Sequence, residues 1–405
     1  MNRKPISLYL IIASISFLSG CWSQKELNEL AIISATSIDK NEEGQYIKTI
    51  QLINPSNVAG GLQGGGGGQS PAVTVYSATG DSVLEAHFNA TAKISRKLYH
   101  SHANLIVLSE DVVREDGLEN VLDAFERDPE IRSTARVVIA HNTKAGDLLK
   151  SLTAVDKIPA DKVNGTLEVT EQSRGVNLEV TLQDVMKALT SEGKEPVISG
   201  FSMNGDIELG KSMENVQKSE LDTTLEADGV AIFKEGKLID WYQDEMAKGV
   251  IWILDKIKET DVELDRDEKK NVIVYHVLRQ KTKVSADTTK DIPTITIHVR
   301  AEGDVREVRE PINLKDPKVL LELEKELEEK IKTQLVDTIK RTQQNKTDIF
   351  GFGEEVHRTD PKKWKKLKND WNNTYFPELN IQVKVEAFVR RSGLRSNSIL
   401  SNLKD

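Results

Sequence analysis

A single cysteine, Cys21, serves all 405 residues. That scarcity excludes an intrachain disulfide, any cysteine-based zinc site and any Cys-x-x-Cys redox pair. The fold must therefore be held by buried apolar surface and paired backbone groups, without covalent cross-links. The composition allows this: 38% hydrophobic and 29% charged residues describe ordinary globular material, neither a disordered polyampholyte nor a multi-span membrane protein. The length predicts two or three domains, each able to bury a core. The formal net charge of −9 argues against nucleic acid as a partner, because phosphate neutralisation needs a concentrated basic surface.

The position of the cysteine says more than the count. Arg3 and Lys4 precede an apolar run from Ile6 to Leu18, and the small residues Ser19 and Gly20 stand just ahead of Cys21. Residues 1–20 read as a secretory signal peptide, too short to span a bilayer comfortably as a mature helix. The string Leu18-Ser19-Gly20-Cys21 resembles the bacterial lipobox, in which the cysteine sulfur receives a diacylglycerol and the peptide is cut before it. The competing reading is an uncleaved signal-anchor with a chance cysteine. Two acyl chains at about 0.8 kcal/mol per buried methylene make a stable tether. Removal of Arg3 and Lys4 leaves a mature charge of about −11, which disfavours adhesion to anionic lipid, so the lipid must do the anchoring.

Downstream, Leu30 to Ile38 and Tyr46 to Ile53 read as an antiparallel strand pair joined by the turn Asp39 to Gly44. The loop 59–70 (AGGLQGGGGGQS) is flexible on composition. A phosphate cradle there would need a Walker lysine or a helix opening on the glycines, and neither is present. Strands at Val73 to Ser77, Asn104 to Ser109 and Ala135 to His141 then alternate with helices. The helices are expected at Asp81 to Ser95, with Leu84, Phe88 and Thr91 on one face, at Glu110 to Arg127, and at Lys144 to Leu152. This alternation predicts an α/β domain over residues 21–197. After a polar stretch at Asp161 to Gly175 and a helix at Leu182 to Leu189, a middle domain is expected over 198–310. Its one mixed sheet would contain Val197 to Met203, Gly229 to Phe233, Leu238 to Tyr242, Val272 to Lys283 and Thr294 to Ala301, with a helix around Met246 to Lys258. Lys234 to Lys237 is its hairpin turn.

The C-terminal domain, 311–405, opens with a long amphipathic helix over 318–344. Leu320, Leu323, Leu327, Ile331, Leu335 and Ile339 form its apolar stripe, and Glu324, Glu328 and Lys332 stand on the charged face. Barely three heptads favour packing on its own sheet over a coiled coil. A basic helix over 361–371 precedes the alternating strand Ile381 to Val389. The fold class expected is mixed α/β and α+β, with three consecutive domains after the signal peptide.

No motif for catalysis survives inspection. Gly200-Phe201-Ser202-Met203-Asn204-Gly205 approaches a nucleophile elbow, but its second glycine comes one residue late. Ser-x-x-Lys at Ser37/Lys40, Ser191/Lys194 and Ser401/Lys404 lacks the Ser-Asp-Asn partner. His100 and His102 would share one face of an extended segment, yet a metal wants a third ligand. Gly351-Phe352-Gly353 lacks the third glycine of a dinucleotide fingerprint and reads as a packing corner. Neither an enzyme nor any cofactor is expected. In the basic helix, Lys362, Lys363, Lys365, Lys366 and Lys368 surround Trp364, Leu367 and Trp371. That is the pattern of a membrane or partner contact, or of a core face with solvated lysines, and the strand that follows favours the core.

Read together, these segments resemble the Ger(x)C spore-germination lipoproteins, the C subunits of nutrient germinant receptors. The resemblance is carried by Cys21-Trp22 with Glu26 to Ala31, by Gln51 to Pro55, by Arg96-Lys97-Leu98-Tyr99, and by Arg127 to Arg132. It continues at Asp348 to Gly353, His357-Arg358, Pro361, Trp364 and Trp371, and at Arg390-Arg391-Ser392-Gly393. The match departs at His100-Ser101-His102, where a glycine is expected ahead of the second histidine. The resemblance implies a non-catalytic receptor subunit, held by diacylglyceryl Cys21 on the outer face of the spore inner membrane. Its partners would be the integral-membrane A and B subunits. A solute-binding lipoprotein that captures a small ligand between domains is the alternative.

Overall fold

The computed structural model describes residues 29–59, 71–266 and 269–391. The signal peptide 1–20, Cys21, residues 60–70 of the glycine-rich loop and the Ser401/Lys404 pair lie outside the described residues. The strands are β1 (Leu30–Lys40), β2 (Tyr46–Ile53), β3 (Val73–Gly80), β4 (Lys97–Tyr99), β5 (Leu105–Ser109), β6 (Arg136–Ala140), β7 (Val197–Gly205), β8 (Thr223–Lys234) and β9 (Lys237–Tyr242). After them come β10 (Thr260–Arg266), β11 (Lys269–Asp287), β12 (Thr294–Val308) and β13 (Asn380–Arg391).

The first sheet has the order β3-β2-β1-β5-β6-β7-β8-β9, with β4 paired to the start of β1. Its centre, β1-β5-β6-β7, is parallel, and both flanks are antiparallel. All five residues of β5 are buried, as a parallel strand covered on both faces requires. Ile106 and Leu108 face the core under the helices Glu110–Glu115 and Leu118–Glu126, while Leu105 and Val107 face Leu148, Leu149, Val163 and Leu167 on the other side. The second sheet, β10-β11-β12-β13, is antiparallel except for the parallel β12–β13 pair. One contiguous apolar cluster runs from Leu108 through Tyr242 and Trp252 to Tyr275, Ile297 and Leu327, so the two sheets share a core.

Several expectations need correction. The single helix Glu110 to Arg127 is two, because Gly117 at φ +84° breaks it, a conformation that costs glycine little. The helix Val83–Thr91 turns Val83, Ala86 and Ala90 inward and leaves Leu84 and Phe88 56% and 61% exposed. The cause is close approach: a Cβ on Gly80 of β3 would stand 2.4 Å from Ala86 N, so only the alanine face fits against this strand. The polar stretch Asp161 to Gly175 is largely a helix, Pro159–Ser173, which buries Val163 and Leu167 one turn apart.

The strands expected in one middle sheet divide. β7, β8 and β9 extend the first sheet, because β7 pairs in parallel with β6 at Ile139–Gly200 and Ala140–Phe201. β11 and β12 pair with each other and take β10 and β13 as neighbours. β10 escaped the sequence reading, although Val262 and Leu264 alternate inward. The Lys234 to Lys237 turn holds, with Glu235 at φ +51° and Gly236 at φ +73°, the paired left-handed residues of a type I′ hairpin. The long helix spans Pro317–Gln344, capped by Asp316, and buries Leu323, Leu327, Ile331, Leu335 and Ile339 against the second sheet.

Candidate functional site

Two places in the fold gather polar groups beyond what secondary structure demands. The first surrounds Asp348, which is fully buried. Its Oδ1 accepts N–H groups from Phe350 (3.2 Å), Gly351 (2.9 Å) and Phe352 (3.1 Å). Its Oδ2 accepts Gly353 N–H (2.7 Å) and Trp371 Nε1–H (2.8 Å). Burial pushes this carboxyl up to about 6 against those donors, so at neutral pH it is a carboxylate in a nest of N–H groups. Gly351-Phe352-Gly353 is thus a packing corner, opening the helix Phe352–Thr359. A Cβ on Gly193 would lie 2.7 Å from the Trp364 ring and 2.8 Å from Gly353 Cα, so this contact needs glycine on both chains of the crossing.

Glu195 ties this corner to the first sheet. Its backbone N–H donates to Asp348 O (2.8 Å), and its carboxylate accepts Glu235 N–H (3.1 Å) and Asn372 Nδ2–H (2.8 Å). Burial raises its carboxyl to about 7.

Of the contact residues read from the sequence, Trp364, Leu367 and Trp371 are 2%, 6% and 2% exposed, with the two indoles edge to face at 5.1 Å. Their apolar face is spent inside the chain, as the core reading of this helix expects. The helix itself runs Pro361–Leu367 and passes into a 3-10 turn and a π turn at Trp371–Tyr375. Lys362 and Lys366 reach solvent. Lys363 instead donates to Thr288 O at 2.6 Å. His100 and His102 do not share a face, because the segment is a 3-10 turn: His100 is buried 5.2 Å from the His87 ring, and His102 lies by Tyr99. No group of three metal-ligating side chains occurs among the described residues. Ser202 stands on β7, where Gly200 leaves room for the Trp241 ring, 2.5 Å from where a Cβ would be.

The second place was not found in the sequence. β1 passes the chain to β2 on one side, and the adjacent parallel β5 passes it to β6 on the other, so a crevice opens at their carboxyl ends. The resulting groove, of about 860 Å³, is lined by residues at or just past the strands' carboxyl ends: Asp39 and Lys40 closing β1, Glu110 after β5, Asn142 two positions past β6. Asp39 is buried, and its two oxygens accept the N–H groups of Ala145 (2.7 Å) and Gly146 (2.8 Å). Burial raises its carboxyl. Behind the rim, His141 stacks on Trp241 at 4.0 Å and shares a 2.7 Å hydrogen bond with Asp228, while Trp241 Nε1–H donates to Glu110 at 3.0 Å. Asn142, at φ +53°, is held between His141 and Glu110. The available signal was a polar residue at or just past the carboxyl end of each buried parallel strand.

Comparison with known proteins places these features. Residues 23–203 match the family model described as spore germination protein N-terminal domain, and residues 228–393 the model described as spore germination B3/GerAC like, C-terminal. The chain is 43% identical over 406 residues to spore germination protein KC of Bacillus subtilis (strain 168), covering all of both chains. It is 23% identical to spore germination protein B3 of the same organism, over 92% of this chain and 93% of that one. The crystal structure of the GerBC protein shares the fold, with a TM-score of 0.56, 18% identity, and coverage of 88% of this chain and 97% of that chain. Among the described residues no helix is long and apolar enough to cross a membrane.

Proposed function

This chain belongs to the Ger(x)C family of spore germination proteins, and from that membership we propose that it is the non-catalytic, lipid-anchored C subunit of a nutrient germinant receptor. Diacylglyceryl Cys21 holds it on the outer face of the spore inner membrane, where it assembles with integral-membrane A and B subunits. The observation that carries this reading is the identity of 43% across the whole of both chains with spore germination protein KC. The lipobox-like string Leu18 to Cys21 supports the anchor. Of the basic helix, Lys362 and Lys366, with the neighbouring Lys365, reach solvent where a partner or a membrane surface can meet them, since Trp364, Leu367 and Trp371 are buried.

The test compares spores producing the natural chain, a Cys21→Ala form and a deletion, scored for nutrient germination and for inner-membrane retention of the chain and of the A and B subunits. Loss of nutrient germination in the deletion, with non-nutrient germination intact, is expected. Normal nutrient germination in the deletion would overturn receptor membership. In spores lacking the A and B subunits, membrane retention of a Cys21→Ala form equal to that of the natural chain would overturn the lipid anchor.

A further inference from the structure

The mature chain carries a net charge of about −11, yet its acids are unevenly placed. Between Glu43 and Glu110 the only acidic residues are Asp81 and Glu85, where the chain's average of 64 in 405 would place about ten. The fold gathers this acid-poor stretch at one end of the first sheet. β4 pairs in parallel with the first residues of β1, Leu30 to Ile32, whereas β5 joins β1 only from Ala35 on. The Leu30 end therefore projects roughly 16 Å beyond the start of the parallel core. Asp81 and Glu85 stand at the opposite end, because Gly80 pairs with Tyr46, and Tyr46 with Lys40, the last residue of β1. Asp161, which accepts from Asn104 Nδ2 (3.3 Å) ahead of β5, is set back with that strand.

The projecting end is basic: Lys93, Arg96 and Lys97 are exposed there, with Glu29 as the acid beside them. Lys93 Nζ donates to Ser77 O at 2.6 Å, while Arg96 and Lys97 have no ion-pair partner among the described residues. A groove of about 650 Å³ opens between Leu30, the end of β2, Asn57, Tyr76 and Ile94, and among the described residues of its lining Arg96 alone is charged. Nine positions separate Cys21 from Leu30, a span of at most about 32 Å even when fully extended. The end that projects is thus the end the tether holds beside the membrane. Each cation at a surface of anionic lipid contributes about fivefold in affinity, and three are too few to hold a free protein. On a tethered chain the contact is intramolecular, and weak attraction suffices to choose which face lies against the lipid. An arginine with no carboxylate partner suits a phosphate, whose oxygens its planar donors match two at a time. Resting on the lipid-anchor reading, we propose that this end of the first sheet is the membrane-facing side of the chain, with Arg96 and Lys97 set on the phosphates of anionic phospholipid headgroups.

The test uses the full lipidated chain in vesicles. Cys21 is the single cysteine and is acylated on this reading, so an introduced thiol takes the only fluorescent label. Ser56→Cys marks the projecting end and Glu42→Cys, in the turn after β1, the far end; both native side chains are exposed. Energy transfer to acceptor-labelled lipid is compared between phosphatidylcholine vesicles and vesicles with about 30 mol% phosphatidylglycerol, in about 20 mM and about 0.5 M salt. In the anionic vesicles at low salt, transfer from Ser56→Cys is expected to exceed that from Glu42→Cys, and the difference should shrink at high salt. Arg96→Gln with Lys97→Gln should lower the ratio of docked to undocked chains by about 25-fold, and Lys332→Gln, on the long helix, should leave it unchanged. Melting curves accompany the double variant, which is expected to keep the fold because both replaced side chains are exposed. Failure of the lipidated chain to float with the neutral vesicles would overturn the anchor, and this inference with it. Flotation with transfer that ignores phosphatidylglycerol, or that the folded double variant retains in full, would overturn the membrane-facing assignment alone.

Discussion

Glu324 Oε1 accepts the backbone N–H of Val389 at 2.9 Å, and one turn along, Glu328 Oε1 accepts the N–H of Ala387 at 3.2 Å. β13 is an edge strand of the second sheet, and an edge exposes unpaired N–H groups that invite another chain. Two glutamates placed by periodicity on the charged face of the long helix instead close that edge. Glu324→Ala should lower stability by about 1.5–3 kcal/mol, as for hydrogen bonds to charged groups. The double change with Glu328→Ala should add concentration-dependent association, read by sedimentation velocity. A double variant as stable and as monomeric as the parent would refute this role.

Asp348 concentrates five N–H donors in a dry site. Asp348→Ala orphans all of them, and the expected loss is on the order of 3 kcal/mol or more, measured by urea unfolding. Trp371 reports the same site, because its indole N–H donates to Asp348 Oδ2. Its emission should titrate with a midpoint near 6, where the raised carboxyl releases its proton. A flat emission profile from pH 4 to 8 would contradict that titration.

Glu195 supplies a pH dependence with a definite sign. Its carboxyl is raised by burial from 4.5 to about 7, so the folded chain holds this proton more tightly than the unfolded one. The associated stability is fully present below about 4.5 and is lost as pH rises through about 7. The difference in stability between parent and Glu195→Gln, followed from pH 4 to 8, should therefore change in the parent's disfavour across that window. Asp228 acts in the opposite sense at lower pH: the hydrogen bond with His141 lowers its carboxyl, so that contribution disappears on acidification. Subtracting the Glu195→Gln curve isolates the one group. A difference that does not vary with pH would rule out a raised Glu195.

Lys362 and Lys366 are solvated side chains whose reversal should not touch the fold. Lys362→Glu with Lys366→Glu should alter stability by less than about 0.5 kcal/mol. If they meet a partner or a lipid surface, recovery of the A and B subunits with the chain from spore membranes should fall. Unchanged recovery would remove this face from the contact surface.

Much of the local architecture was legible because it depends on neighbours in sequence. The stripe Leu323 to Ile339 specified the long helix through its 3.6-residue period, and the run Leu105 to Ser109 specified a strand covered on both faces. Glu235-Gly236 specified its hairpin, since both residues must take positive φ. The family was legible for a different reason: ordered short strings from Cys21 to Gly393 whose joint spacing is specific.

What the sequence by itself determined was therefore the type of the strongly periodic elements, the absence of cross-links and the family. Which sheet β7, β8 and β9 join depends on pairing with β6, about sixty residues away, and no local pattern encodes that choice. The inward alanine face of Val83–Thr91 defeated hydrophobicity because Gly80 admits the helix so closely that bulk is excluded. The groove, too, exists only in three dimensions: Asp39 of β1, Thr49 of the antiparallel β2, and Gly146 and Lys150 of the helix Ala145–Lys150 lie up to 111 positions apart, and only the packing of that helix against β1 and β2 brings them together.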